Sequence, residues 1–152
     1  MSGNNLRDQL HRAIEKRLAE VNQRYPQSRK ALVTALAEVP NPMSVSEIEE
    51  RLGKSVPVST IYRNLTILED AKVVNRLASN DGSGRFELAE EVSGDHHHHL
   101  ICMNCAKVFD VDLPGSLEQS LVESTGSIVE SRDFEVVWHQ IDLHGYCKNC
   151  RA

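Results

Sequence analysis

Long apolar runs and an apolar leader are both missing from this sequence. No stretch approaches the length that crosses a membrane, and the first ten residues, MSGNNLRDQL, are mostly polar. We therefore expect a cytoplasmic protein without a membrane partner. The sequence also has no HExxH motif and no evident pairing of a nucleophile with a base, which argues against an enzyme with a small-molecule substrate.

An excess of basic charge, which would favour nucleic acid as a partner, is missing too, since the formal net charge at pH 7 is −5. The charge is unevenly distributed, however. Residues 1–84 carry 12 Lys and Arg against 10 Asp and Glu, whereas residues 85–152 carry 5 against 12. The 152 residues are enough for one or two small domains. A basic-leaning first half and an acidic second half predict two modules with different partners.

Cysteine is scarce, and all four cysteines stand in two Cys-x2-Cys pairs, Cys102 with Cys105 and Cys147 with Cys150. In a reducing compartment, such pairs are more typical of metal ligands than of disulfides. Free buried cysteines or a redox pair are the alternatives.

Four consecutive histidines precede the first cysteine pair, in DHHHHLICMNC. If this segment is a strand, successive side chains point to opposite faces of the sheet. His97 and His99 then face one way, and His96 and His98 face the other. The segment can therefore supply two histidines to each of two metal sites. An exposed histidine cluster or a tag-like run is the alternative.

Apolar spacing predicts four helices in the first half of the chain. They cover residues 5–22, 27–39, 46–52 and 57–71. Ser44 and Glu47 fit a capping box before the third helix, because the serine caps a free backbone N–H and the glutamate reaches back. The fourth helix has an expected buried stripe of Val58, Ile61, Leu65 and Leu68.

Strands are predicted at residues 73–78 and 85–88, around the turn Asn-Asp-Gly-Ser-Gly. Two short helices followed by a hairpin are typical of a winged helix. Such a domain places Tyr62 and Arg63 in the major groove of DNA, where arginine bonds guanine and an aromatic ring contacts a thymine methyl. A solvated helix face is the alternative. The predicted DNA-binding residues are Ser59, Thr60, Tyr62, Arg63, Arg24 and Arg29, the last two through phosphates or the minor groove.

The second half is predicted to be a small α/β module. The polar residues 90–95 form an expected hinge between a first domain at residues 1–89 and a second at residues 96–152. Strands are expected at residues 97–103, 107–111 and 134–144, with a helix at residues 115–124. A module of this size has little core of its own and needs a metal staple, a dimer partner, or both.

Taken together, these segments resemble the ferric uptake regulator (Fur) family of metal-dependent bacterial repressors. The motifs that carry the resemblance are PVSTIYRNLTILEDAKVV, RFEL, HHHHLICMNCAKVFDV and HGYCKNC, and the match runs from about Arg24 to Cys150. The resemblance implies an α+β protein with an N-terminal winged-helix DNA-binding domain and a small α/β dimerisation domain with structural zinc. It also implies a homodimer that binds palindromic operators in double-stranded DNA.

The resemblance further implies three metal sites. The structural zinc site matches Cys102, Cys105, Cys147 and Cys150. Four thiolates independently suit a closed tetrahedral Zn2+ site. The regulatory site at the hinge matches Glu87, His97, His99 and Asp110. A third site matches His96, His98, Glu118 and His139. His11 and His144 have no place in this scheme; we expect His11 to be solvated.

Two departures from the family pattern bear on the regulatory metal. Many iron- and peroxide-sensing members place a histidine where this chain has Asn-Pro-Met, at residues 41–43. Zinc-sensing members often place a cysteine where this chain has Leu-Ala-Glu, at residues 88–90. The remaining oxygen and nitrogen ligands suit Fe2+, Mn2+ or Zn2+, and iron is slightly favoured by the family's commonest role.

The resulting hypothesis is a metal-responsive transcriptional repressor. The regulatory metal acts as a co-repressor, because it closes the hinge and sets the two recognition helices at the spacing of the operator half-sites. A peroxide-sensing repressor is the alternative within the family. A zinc hydrolase and a metal-buffering protein without DNA binding are the alternatives outside it.

Overall fold

The computed structural model describes residues 2–79 and 82–151, and within them helices and strands divide between two halves of the chain. The first half contains α1 (Ser2–Glu20), α2 (Gln27–Ala37), α3 (Val45–Arg51), α4 (Val58–Asp70), β1 (Val74–Leu77) and β2 (Arg85–Leu88). The second contains α5 (Glu90–Ser93), β3 (His98–Cys102), β4 (Val108–Val111), α6 (Gly115–Glu130) and β5 (Asp142–Gly145). Asn80 and Asp81 of the predicted turn lie outside the described residues. None of the described helices is long and apolar enough to span a membrane.

The capping box predicted before α3 is confirmed. The Ser44 N–H donates to Glu47 Oε2 at 2.8 Å, and the Glu47 N–H donates to Ser44 Oγ at 3.3 Å. This reciprocal pair satisfies two backbone donors that the first turn would otherwise leave free. It therefore fixes where α3 begins and how it enters its contact with α4.

One apolar core holds α1 to α4 against the hairpin of β1 and β2. Its most deeply buried members are Ile14, Leu18, Leu32, Val33, Ile48, Ile61, Leu65, Leu68, Val73 and Val74. Burying each large aliphatic side chain contributes about 1.5–3 kcal/mol. The prediction that Val58 completes the buried stripe of α4 is wrong, because Val58 opens the helix and is 37% exposed. Periodicity gives the buried face of a helix but not how far its neighbours extend along it.

Strand β2 has two buried faces, and this positions the candidate site. It pairs antiparallel with β1, with Val74 opposite Leu88. Phe86 and Leu88 belong to the core of the first half. Arg85 and Glu87 alternate with them and therefore point the other way, toward the second half. The hairpin of β1 and β2, which we call the wing, thus presents two charged side chains to the second half of the protein.

The second half is built on a three-stranded sheet with the order β4-β3-β5. β3 pairs antiparallel with β4 and parallel with β5. The predicted order β-β-α-β is confirmed, but the strand expected at residues 134–144 is mostly wrong, since only Asp142–Gly145 is a strand. Residues 134–140 find no partner strand within the described chain. The expected hinge contains one helical turn, α5, closed by Gly94 at a left-handed φ of 76°.

Few apolar side chains are buried in the second half. Its cluster consists of Ile101 and Val108 with Leu77 of the wing, and α6 buries none of its residues. Large apolar side chains are instead exposed along α6 and after it: Leu117, Val122, Ile128, Phe134, Val137 and Trp138. The apolar core of this half is therefore too small to stabilise it as a single chain.

Candidate metal centres and nucleic-acid interface

The four cysteines form one group at the end of β3, which we call the cysteine cluster: Cys102, Cys105, Cys147 and Cys150. All four are free thiols, and their sulfur atoms lie within 4.8 Å of one another. Cys105 Sγ and Cys147 Sγ are 3.8 Å apart. A tetrahedral Zn2+ with Zn–S bonds of about 2.3 Å separates its sulfurs by roughly 3.8 Å. The cluster therefore fits a four-thiolate zinc ion.

Backbone amides favour the ionised form of Cys102. Its sulfur accepts hydrogen bonds from the N–H groups of Cys105 and Cys147, and they lower the pKa of its thiol from the ordinary value of 9.0 to about 6. The Cys147 N–H lies 3.4 Å from this sulfur. Thiolates are the form that binds metal, so the two turns prepare the site for a cation.

A second group, the hinge cluster, joins the two halves of the protein: Glu87, His97, His99 and Asp110. Glu87 Oε2 lies 3.0 Å from His97 Nε2 and 3.1 Å from His99 Nε2. Asp110 approaches the same two nitrogens at 3.6 and 3.8 Å. An ion with bonds of about 2.0–2.1 Å to each ligand atom would separate them by roughly 3.3 Å.

The hydrogen bonds around the two histidines select the nitrogen that can bind a metal. His97 Nδ1 donates to the carbonyl of Asp95 at 3.1 Å, and His99 Nδ1 donates to the carboxylate of Asp142 at 3.1 Å. A neutral imidazole with its proton on Nδ1 has a free lone pair on Nε2. Both Nε2 atoms therefore face the centre of the hinge cluster with the lone pair that metal binding needs.

An unsatisfied atom gives an independent test of the fit. Among the buried side-chain oxygens and nitrogens of the described residues, Asp110 Oδ1 and His96 Nε2 have no hydrogen-bond partner. Such atoms are rare in folded proteins because their desolvation is not compensated. A cation between the ligand atoms would satisfy Asp110 directly, so the residues of the hinge cluster fit a metal ion.

Protons compete for the hinge cluster. Burial raises the pKa of Asp110 to about 6, and the charge of Glu87 acts in the same direction. For His99, burial lowers the pKa, but the hydrogen bonds to Glu87 and Asp142 outweigh it and leave the pKa above the ordinary 6.5. The pKa of His97 is raised in the same way, because the effect of burial is outweighed by the hydrogen bond to Glu87 together with the charges of Glu87 and Asp110. The cluster thus attracts positive charge.

The third cluster lies on the opposite face of β3: His96, His98, Glu118 and His139. Glu118, in the first turn of α6, accepts from His98 Nε2 at 2.5 Å and from His139 Nε2 at 2.9 Å. The backbone N–H of Ile141 donates to His98 Nδ1 at 3.0 Å, which leaves the ring proton on Nε2. Binding a metal through that atom requires the ring to give up the Ile141 contact. The unsatisfied His96 Nε2, by contrast, would be satisfied by an ion in this cluster, as Asp110 Oδ1 would be in the hinge cluster.

The structure has the alternation of the four histidines that the sequence predicts. His97 and His99 contribute to one group and His96 and His98 to the other. The partners that sequence reasoning missed are Asp142, which orients His99, and Asn41, whose Oδ1 accepts from the Asp110 N–H at 3.1 Å. Neither contact has a local sequence pattern. That these groups bind metal stays a prediction.

The predicted DNA-binding face lies on α4. Ser59, Tyr62 and Arg63 are exposed, Tyr62 at 49%, and Thr60 is half-buried. Arg24 is also exposed. These side chains are accessible to a partner without any rearrangement of the core.

The predicted role of Arg29 in DNA contact does not agree with its position. Arg29 is 6% exposed, and its Nε donates to Asn64 Oδ1 at 3.1 Å while Nη1 donates to the carbonyl of Arg24. Because Asn64 belongs to α4, Arg29 joins α2 to α4. Its guanidinium is therefore engaged within the protein and does not extend from the surface as the prediction requires.

The two histidines left outside the predicted metal sites differ. The prediction that His11 is solvated is wrong, because its ring is half-buried between Tyr25 Oη at 2.6 Å and Thr34 Oγ1 at 3.2 Å. Burial lowers its pKa. His144 is exposed on β5 and belongs to none of the three clusters.

Comparisons with known proteins agree on one family. Residues 20–144 match the model of the ferric uptake regulator family. The chain is 31% identical over 145 residues to the ferric uptake regulation protein of Bacillus subtilis (strain 168), covering 91% of this chain and 93% of that one. It is 28% identical over 150 residues to the peroxide-responsive repressor PerR of Staphylococcus aureus (strain USA300), covering 95% of each.

A solved structure with a similar fold is the Helicobacter pylori ferric uptake regulator Fur, which is described as having three functional metal-binding sites. The TM-score is 0.72, and the match covers 95% of this chain and 93% of that one at 20% identity. This likeness shows that the two proteins share a fold.

Proposed function

This chain belongs to the ferric uptake regulator family of metal-responsive transcriptional regulators, which are not enzymes, and we propose that it represses transcription when a divalent ion fills its hinge cluster. Regulators of this family bind DNA and are dimers. The proposed division of labour assigns operator binding to residues 1–89, flexing to residues 90–95, and dimerisation to residues 96–152. The operator is proposed to be a palindrome in double-stranded DNA, because a two-fold dimer presents two recognition helices.

The observation that carries the proposal is the composition of the hinge cluster. Glu87 belongs to the wing of the first half, whereas His97, His99 and Asp110 belong to the second. An ion bound by all of them fixes the orientation of the two halves, and so it favours one arrangement of the recognition helices. An ion bound by ligands from one half only would not affect the relative orientation of the two halves.

The ligand atoms limit the choice of ions. The hinge cluster offers oxygen and nitrogen only, which suits Fe2+, Mn2+ or Zn2+, and we take Fe2+ as the first candidate. When bound, the ion supplies charge that ties the two carboxylates and two imidazoles together. We assign structural Zn2+ to the cysteine cluster, because its thiolates and sulfur spacing suit that ion.

The test is an operator-binding titration with protein that carries zinc at the cysteine cluster and no ion at the hinge. Fe2+, Mn2+ and Zn2+ are added in turn under anaerobic conditions, and DNA affinity is measured by fluorescence anisotropy. The proposal expects one ion to raise the affinity at a low free concentration. If DNA affinity is unchanged by all three ions, the proposal of a metal-dependent repressor is wrong.

Peroxide sensing is a second candidate function, favoured by the match to a peroxide-responsive repressor over 95% of the chain. In such a function, His97 and His99 would hold Fe2+ and peroxide would be the two-electron oxidant: one of its oxygen atoms would be added to His97 or His99, and the other would leave as water. The same titration can test this function. Peroxide is added to the Fe2+-loaded protein, and its peptides are analysed by mass spectrometry for oxygen added to His97 or His99. If the histidines are unmodified and DNA binding is unchanged, peroxide sensing is excluded and metal sensing is the remaining candidate.

Arg63 is expected to read the operator. Its side chain is exposed on α4 beside Tyr62, and arginine bonds guanine through two hydrogen bonds in the major groove. Arg63→Ala should weaken operator binding by about 1–3 kcal/mol, measured by anisotropy with the ion present. Arg132→Ala is the matched control, because it removes the same charge from an exposed position after α6. Equal affinities of the two variants would remove Arg63 from the interface.

The affinity of the hinge cluster for its ion is expected to fall as the pH is lowered through about 6. Below this pH the Asp110 carboxyl, with its pKa of about 6, is protonated, and both cluster histidines, whose pKa values are raised, already carry protons. The ion must displace these protons. Calorimetry in buffers of different ionisation enthalpy should detect proton release that grows as the pH falls. His144→Ala serves as the control, and a pH-independent affinity would contradict the assignment.

A further inference from the structure

Arg85, the first residue of β2, is buried and makes three side-chain hydrogen bonds. It is 9% exposed, and its guanidinium donates to three acceptors. Nε donates to the carbonyl of Ala106 at 2.7 Å, while Nη1 donates to the carbonyl of Pro42 at 3.2 Å and to Glu47 Oε2 at 2.7 Å. A buried guanidinium is tolerated only where its donors are satisfied, so these contacts fix its position.

The acceptors of Arg85 belong to different halves of the protein. Pro42 and Glu47 lie in the segment that leads into α3 and in its first turn. Ala106 follows Cys105 in the turn of the cysteine cluster, where its own N–H donates to the carbonyl of Cys102 at 3.0 Å. Arg85 therefore joins the start of α3 to the turn that carries Cys105, by a contact that does not involve the backbone of residues 90–95.

This contact lies close to the hinge cluster. Arg85 and Glu87 are two residues apart on one strand, so they share a face and are separated by about 6.6 Å. On the opposite side, Ala106 precedes β4, which carries Asp110, and the Asp110 N–H donates to Asn41 Oδ1 at 3.1 Å. Both carboxylates of the hinge cluster thus stand beside a contact between the halves that needs no metal.

We propose that Arg85 is a positioning residue that holds the two halves near their closed arrangement before the regulatory ion arrives, and thereby sets the affinity of the hinge cluster for it. The ion binds tightly only when Glu87 and Asp110 are already close to the two histidines. The apparent dissociation constant rises as the population of this arrangement falls. Arg85 supports that population through the hydrogen bond to Ala106. The role of the ion rests on the function proposed above.

The first measurement needs no regulatory ion. The Asp110 N–H is bonded across the interface to Asn41, so its hydrogen exchange, followed by NMR in the zinc-loaded full-length protein, reports on separation of the halves. Arg85→Met should accelerate this exchange about tenfold, within the usual range of coupling between sites. Amides of the β3–β4 ladder, such as Leu100, should keep their rates. Arg85→Lys, which retains the charge and one donating nitrogen, should restore part of the protection.

The second measurement is the affinity of the hinge cluster, from competition between the protein and a chelator for Mn2+. Arg85→Met should raise the dissociation constant about tenfold while the zinc content of the cysteine cluster stays unchanged. Glu47→Ala is the matched control, because it removes a partner of Arg85 and the capping box within the first half but leaves the bond to Ala106. It should weaken Mn2+ binding less than Arg85→Met does.

Two results would overturn the proposal. One is Arg85→Met with unchanged Asp110 exchange and unchanged Mn2+ affinity. The other is Glu47→Ala with the same losses as Arg85→Met, because the effect would then come from the first half alone. If the unchanged protein shows no metal-dependent DNA binding, the proposed function fails, but the exchange experiment still decides whether Arg85 joins the halves.

Discussion

Replacing Cys105 and Cys147 together by alanine is expected to unfold the second half of the protein and abolish its dimer. This half buries few apolar side chains, and α6 buries none of its residues. Binding of structural zinc contributes about 10–16 kcal/mol in zinc-finger peptides, which is more than a core of this size can offset. The single tryptophan, Trp138, reports on the region through its near-ultraviolet circular dichroism. That signal, the bound zinc and the dimer should be lost together.

Met103→Ala is the matched control for this experiment, since Met103 lies in the same turn, is 47% exposed and offers no thiolate. It should retain zinc and the dimer. The helical signal of the first half should survive in both variants, because its core is separate. A double cysteine variant that remains a dimer with the Trp138 signal intact would mean that the cysteine cluster is not a structural staple.

Alanine at both His97 and His99 is expected to abolish the dependence of operator binding on the regulatory ion. These residues supply both imidazoles of the hinge cluster, and the two carboxylates that remain do not favour a transition metal over Mg2+ or Ca2+. In the unchanged protein, the ion should raise operator affinity by roughly 5- to 150-fold, the usual range for coupling between sites. In the double variant this ratio should fall to one.

Zinc content and dimerisation separate this outcome from simple unfolding. Both should persist in the double variant, because the cysteine cluster does not include His97 or His99. His144→Ala, on the neighbouring strand and outside the clusters, should keep the full response. Operator binding by the double variant that still rises with the ion would place the switch elsewhere.

Features set by local chemistry were predictable from the sequence. The capping box of Ser44 and Glu47 depends on residues three apart. The division of the four histidines depends only on the two-residue period of a strand. By contrast, the expected strand at residues 134–144 failed because alternation predicts a strand only when a neighbouring strand pairs with it.

Contacts between distant segments could not be predicted from the pattern. Asp142 supports His99 from 43 residues away, and Asn41 meets Asp110 across 69 residues. Arg85 was part of a recognised motif, RFEL, yet its bond to the Ala106 carbonyl involves a backbone atom that every residue has. For the same reason, burial of Arg29 against Asn64 could not be distinguished from exposure to DNA.

The histidine run makes the length of the chain at this point as important as its composition. Successive side chains of residues 96–99 serve opposite faces. Removing one residue between His96 and His99 would therefore turn the side chains before the deletion to the other face, relative to those after it. Histidines of the hinge cluster would then face the third cluster, and histidines of the third cluster would face the hinge cluster. Substitution can therefore tune the hinge cluster and the third cluster separately, whereas any insertion or deletion here disturbs both together.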